Sequence, residues 1–167
     1  MIVLLIVAVL ATVGIPSLGS LALDARRTAD INAFVTSIQL ARSEAAKRSA
    51  AVIVCKTADL SGCGDAGLHY EGGWMVFVDT DGDSPPRRDP GEPLIHVYEP
   101  GIEGTIRSNR ARFVFRPYYR RSSNGTVTFC DRRGAEAARA VIVSYTGRPR
   151  VSDVGPGGRP LECAGGT

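Results

Sequence analysis

The chain opens on a run that few folds can absorb. From Ile2 to Ile15 there is no charged residue, and Thr12 is the only polar side chain. As a helix this run would span roughly 21 Å, short of the ~30 Å hydrocarbon core of a bilayer. About six more apolar residues upstream would complete a membrane span. The run starts at Met1 with no basic stretch before it, which makes a poor secretory signal. It also lacks the polar face of an ordinary core helix. Pro16 follows, removing a backbone donor and crowding the preceding turn, so a kink or local opening is expected there.

Beyond the proline the pattern changes. Ile31, Phe34, Val35, Ile38, Ala41 and Ala45 recur at helical spacing, with Asn32, Gln39, Ser43, Lys47 and Arg48 elsewhere around the axis. Glu44 and Arg48 stand four apart, a favourable pair on a helix. A helix with such a stripe must bury it, most simply against a sheet. The chain thus divides into a hydrophobic transmembrane or assembly segment (1–23), an amphipathic helix (24–50) and a β-rich head with a basic C-terminal tail (51–167).

Eight short strands are predicted in the head, at 51–55, 74–79, 94–98, 104–107, 111–116, 126–131, 140–144 and 148–151. Each is β-branched or aromatic and bounded by Gly, Pro, Asn or Asp. Asn124-Gly125 reads as a tight turn before one of them. The acidic, proline-containing stretch 79–93 reads as a long loop. The expected fold class is α+β, a long N-terminal helix packed on an antiparallel β-sheet head. Trp74 and Phe77 are expected in its core.

The four cysteines, Cys55, Cys63, Cys130 and Cys163, lack the C-x-x-C spacing of a zinc or redox site. An even count behind a hydrophobic N-terminus favours two disulfides in an oxidising compartment. Cys55 with Cys63 would close a short Gly-rich loop, and Cys130 with Cys163 would pin the C-terminal tail. Spacing alone leaves other pairings open.

The net charge of +3 conceals an asymmetry. Residues 1–106 carry 8 Lys/Arg and 13 Asp/Glu, whereas residues 107–167 carry 12 Arg and 4 acids, a net +8. A basic half points to an anionic partner. The alternative is an Arg-rich composition that serves solubility. The sharpest local feature is Gly147-Arg148-Pro149-Arg150. Two arginines two apart share a face in an extended segment, and Pro149 between them suits a sheet edge. Two guanidinium forks fit phosphate oxygens. Arg120, Arg121, Arg132 and Arg133, with Arg107, Arg110, Arg112, Arg116 and Arg159, would extend such a surface. Tyr118 and Tyr119 would stack on bases if single strands bound, but half-buried packing is the expectation for them. No element looks shaped to read base edges, so binding would be independent of sequence.

Asp79-Thr80-Asp81-Gly82-Asp83 has the composition of a calcium loop. Its glycine falls between the second and third acids, and Glu92 comes one residue late for an EF-hand. A turn capped by its own side chains is expected, and no metal. His69 and His96 accompany no nucleophile motif, P-loop or zinc-binding helix, so no enzyme, cofactor or small-molecule substrate is expected.

Several stretches in order resemble the FimT/GspH family of type IV minor pilins and type II secretion pseudopilins. Residues 11–18 are similar to the family's helix around its proline. Residues 40–48 (LARSEAAKR) are similar to its helix end, and residues 73–79 (GWMVFVD) to one of its strands. Residues 88–92 are similar to the loop that follows, and Gly147–Arg150 to the GRxR motif of DNA-binding FimT members. The resemblance implies a Gram-negative inner-membrane protein with its head in the periplasm. It implies assembly with other major and minor pilins into an extracellular pilus, methylation, and sequence-independent DNA binding for uptake in natural transformation. The alternative it implies is a GspH-like minor pseudopilin with a structural role and no DNA binding. The family's leader, cleavage glycine, aromatic residue and glutamate have no counterpart here, so a longer N-terminus is expected upstream of Met1.

Overall fold

The computed structural model describes residues 2–64, 69–118 and 121–163, and for residues 2–18 the backbone alone. Helix α1 (Ile2–Arg48) runs unbroken through Gly14 and Pro16. The expected local opening at Pro16 is absent because a proline removes a single N–H from the ladder and its neighbours continue it. The side chains of the Ile2–Ile15 run lie outside those described. Among the described residues no helix is long and apolar enough to cross a membrane.

The eight predicted strands all form: β1 (Ala51–Lys56), β2 (Trp74–Asp79), β3 (Leu94–Tyr98), β4 (Gly104–Ser108), β5 (Arg112–Phe115), β6 (Gly125–Asp131), β7 (Arg139–Val143) and β8 (Pro149–Ser152). They make two antiparallel sheets rather than one, in the orders β3-β2-β1-β5 and β4-β6-β7-β8. The Asn124-Gly125 tight turn does not form. Gly125 is the first residue of β6, and a Cβ there would lie 2.8–2.9 Å from atoms of Asn109, Arg110 and Phe113. The glycine answers close packing, not a turn.

The buried stripe of α1 joins the sheets. Phe34 meets Tyr70, Trp74, Phe113 and Phe129 edge-on at centroid distances of 5.7, 5.2, 5.9 and 6.1 Å. Those rings come from both sheets and the connection between β1 and β2, so one helical side chain fills the centre of a shared core. The Trp74 indole N–H donates to the Ser37 hydroxyl at 2.9 Å, and its ring stacks on Tyr98.

Each sheet also has a covered outer face. On the first, Ile53, Cys55, Met75 and Phe77 form a second cluster that includes Cys63. On the second, Cys130, Ala138, Ala140 and Leu161 cluster with Cys163. The two bonds are Cys55–Cys63 and Cys130–Cys163. Each ties a strand to the irregular segment lying over its own sheet. Trp74 and Phe77 are both fully buried, on opposite faces of β2, as strand alternation requires.

Candidate nucleic-acid interface

β7 and β8 are joined by a three-residue hairpin. The Ser144 C=O accepts the Gly147 N–H at 2.8 Å, and the Ser144 N–H donates to Arg148 O at 3.1 Å. Gly147 takes φ 72°, the left-handed residue that closes this loop type. A Cβ there would lie 3.0 Å from both the Arg42 Cδ and the Phe115 ring, so Gly147 is also where the hairpin rests on α1 and β5. It is buried and shapes the turn; it offers no surface. Arg148 leaves the loop, Pro149 begins β8 and Arg150 lies opposite Ile142. β8 is an edge strand, where a missing N–H is tolerated. Arg148 and Arg150 are exposed, and among the described residues no carboxylate pairs with either.

Beside this hairpin lies a cleft of about 470 Å³ between the end of α1, the segment after β5 and the hairpin tip. Arg42, Arg116 and Arg121 line it, with no acidic residue among its described walls. Tyr145 also lines it, 58% exposed, with the Arg121 guanidinium 5.8 Å from its ring centroid. Tyr118, expected to be half-buried, is 68% exposed. Its left-handed backbone (φ 49°) and a 2.7 Å hydrogen bond between its hydroxyl and that of Ser49 hold it outside the core. Tyr119 and Arg120 lie outside the described residues.

The other expected arginines go elsewhere. Arg132 and Arg133 follow β6, at the end of β7 opposite the hairpin. Arg132 is exposed, but Arg133 is committed. Its guanidinium donates to Asp131 Oδ2 at 2.6 Å and to Asp24 Oδ1 at 2.7 Å. Arg27, 7% exposed, donates to Asp131 Oδ2 at 3.2 Å, to Asp24 Oδ1 at 2.6 Å and to the Ala137 carbonyl. The Arg133 hydrogen bond holds the Asp131 carboxyl below its ordinary range, against burial, and the Arg27 charge adds to it. The same pairing raises Arg133. Arg110 bonds Asn124, Arg112 the Pro86 carbonyl and Arg159 the Pro156 carbonyl. Arg107 is exposed on β4. Arg148 and Arg150 therefore lie at the opposite end of β7 from Arg132 and Arg133, and Arg112 lies on the other sheet.

Arg27 and Asp30 are buried charges of α1 that hydropathy did not find. They precede Ile31 and Phe34 by four residues, so helical spacing alone placed them on the buried stripe. Asp30 Oδ1 accepts from the Tyr98 hydroxyl at 2.9 Å and the Gly101 N–H at 3.0 Å.

In the acidic loop the oxygens of Asp79, Asp81 and Glu92 approach within 4.8 Å of one another. Several cap the loop's own backbone: Asp79 accepts from Gly82 N–H, Asp81 from Asp83 N–H, and Glu92 from Thr80 and Asp89 N–H. Burial raises the Asp79 carboxyl above its ordinary range, and the charges of Glu92, Asp83 and Asp81 add to the shift.

Two crystal structures of the type IV minor pilin FimU from Pseudomonas aeruginosa PAO1 share this fold. One gives a TM-score of 0.56 at 15% identity, covering 84% of this chain and 98% of that one. The other gives 0.58 at 16%, covering 87% and 96%. Likeness at such identity speaks to the fold alone. No curated protein sequence matches the chain. The family described as type II transport protein GspH matches residues 30–147, ending at the glycine before Arg148, so the match does not reach the two hairpin arginines. That stretch covers most of α1 beyond the apolar run and all but the last strand: the chain belongs to the GspH family and has the type IV pilin-like fold.

Proposed function

We propose that the chain is a minor type IV pilin that binds DNA without sequence preference through Arg148 and Arg150, for uptake in natural transformation. The carrying observation is their exposure at an edge hairpin with no carboxylate among the described residues to neutralise them, beside three further arginines. Phosphate oxygens are suited to such guanidinium forks, and contacts to phosphates carry no sequence information of their own. Residues 1–23 serve as the inner-membrane and assembly segment, other pilins are the filament partners, and the head faces the periplasm. The reading needs no cofactor and no catalytic group. The alternative reading is a GspH-like minor pseudopilin of a type II secretion system, with a structural role and no DNA binding.

A mobility-shift titration of the chain with duplex DNA separates them. Arg148→Ala with Arg150→Ala should remove most binding and lower the slope of log K against log salt by roughly 1.8. The matched control is Arg107→Ala with Arg132→Ala, which removes equal charge from exposed positions. Equal loss in both variants would point to diffuse basic attraction. No binding by the unaltered chain at low salt leaves the pseudopilin reading in front.

A further inference from the structure

We propose that the cleft beside the hairpin is a base-stacking subsite, so that the site prefers single-stranded to duplex DNA. The proposal rests on the DNA-binding reading and deepens it. Two exposed aromatic rings, Tyr118 and Tyr145, line one cavity whose charged walls, among the described residues, are Arg42, Arg116 and Arg121. Positive charge alone would suit any anion. A flat π-face next to guanidinium groups suits an unpaired base flanked by phosphates, because every base presents a face to stack and a phosphate on either side. The volume of about 470 Å³ lies in the range of small-ligand pockets. Paired bases in a duplex present no free face to such a cleft.

Both rings are held in place. Tyr118 keeps an αL backbone, unusual for a bulky residue, and its hydroxyl is tied to Ser49 just past the end of α1. Such positive-φ positions are enriched at functional sites. Tyr145 sits at the hairpin tip, where its carbonyl accepts the Ser122 N–H at 3.1 Å and Arg121 lies over its ring. The cleft is continuous with the arginine hairpin: Gly147, which directly precedes Arg148, packs on Arg42 and Phe115 of the cleft wall. A strand whose phosphates follow Arg148 and Arg150 thus has a place for a neighbouring base.

The test uses the whole chain in a mild detergent and fluorescence anisotropy with an oligonucleotide of about 12 nucleotides, the span of a single-strand site. Three probes are compared: the single strand, the same strand with abasic positions, and the duplex. The single strand should bind tighter than the duplex. The abasic strand, with the same phosphates, should bind about 5- to 150-fold more weakly than the intact one, the loss expected for one stacked base. Tyr145→Leu and Tyr118→Leu should weaken the intact strand and leave the abasic strand nearly unchanged, while Tyr145→Phe retains affinity. The proposal falls if intact and abasic strands bind alike, if duplex is preferred, or if the leucine variants weaken both strands equally. In those cases duplex binding that still depends on Arg148 and Arg150 preserves the simpler reading. Absence of binding to every probe removes both.

Discussion

The two ends of β7 carry the same residue type in opposite circumstances. At the β6–β7 end, Arg133 and Arg27 share the carboxylates of Asp131 and Asp24, and two of these four side chains are nearly sealed from water. At the β7–β8 end, Arg148 and Arg150 stand in solvent with no described carboxylate. A net +8 counts both ends alike. The difference lies in where the acids fall. Asp24 is 109 positions from Arg133 in sequence, and only the packing of α1 on the second sheet brings them together. One pair of arginines holds the helix to the sheet; the other is left available.

The sharpest way to break this comparison is to remove an acid from the paired end. Asp131→Ala removes the buried carboxylate that Arg27 and Arg133 share, leaves both with the Asp24 carboxylate, and should cost about 1–3 kcal/mol, the range for charge-assisted hydrogen bonds lost at a buried site. Denaturant unfolding reads it, and a loss near zero would show that the cluster is not structural.

Acid should reveal a smaller effect. Asp131 is held below its ordinary range, so its contribution is complete above about pH 4 and is lost as pH falls through its lowered folded value. Asp79 has the opposite sign. It is held above its ordinary range, so the folded state gains as pH falls from that raised value toward about 4. Stability followed by thermal melting should rise slightly on mild acidification and then drop. Asp79→Asn should flatten the rise, and Arg133→Ala should soften the drop. A monotonic profile unaffected by either change would contradict the assignment.

The smallest expected effect is at the free end. Arg148→Ala with Arg150→Ala should change unfolding free energy by no more than about 0.5 kcal/mol. A larger loss would mean that these arginines pack in the fold, and the contrast between the two ends would disappear.

Much of the architecture was legible because its signals are local. The strands are short β-branched or aromatic runs between turn residues, and the helical stripe repeats within a few residues. What escaped depends on partners distant in the chain. Nothing near Arg27 announces Asp131, and nothing near Gly125 announces Asn109 and Phe113. The division into two sheets is likewise decided by strand pairing over long separations. For the candidate site, the exposed hairpin arginines were legible as a motif. The Tyr118–Tyr145 cleft was not, because the end of α1, the segment after β5 and the hairpin tip are remote in sequence.

Phe34 also sets a schedule. Its ring is complete in its surroundings only when Phe129 arrives, and 95 residues of chain separate them. At a synthesis rate of about 5–20 residues per second, that is roughly 5–20 s during which the helix exists without its final cover. The helix is made first and finished last, so any factor that shelters its apolar stripe has to act within that interval.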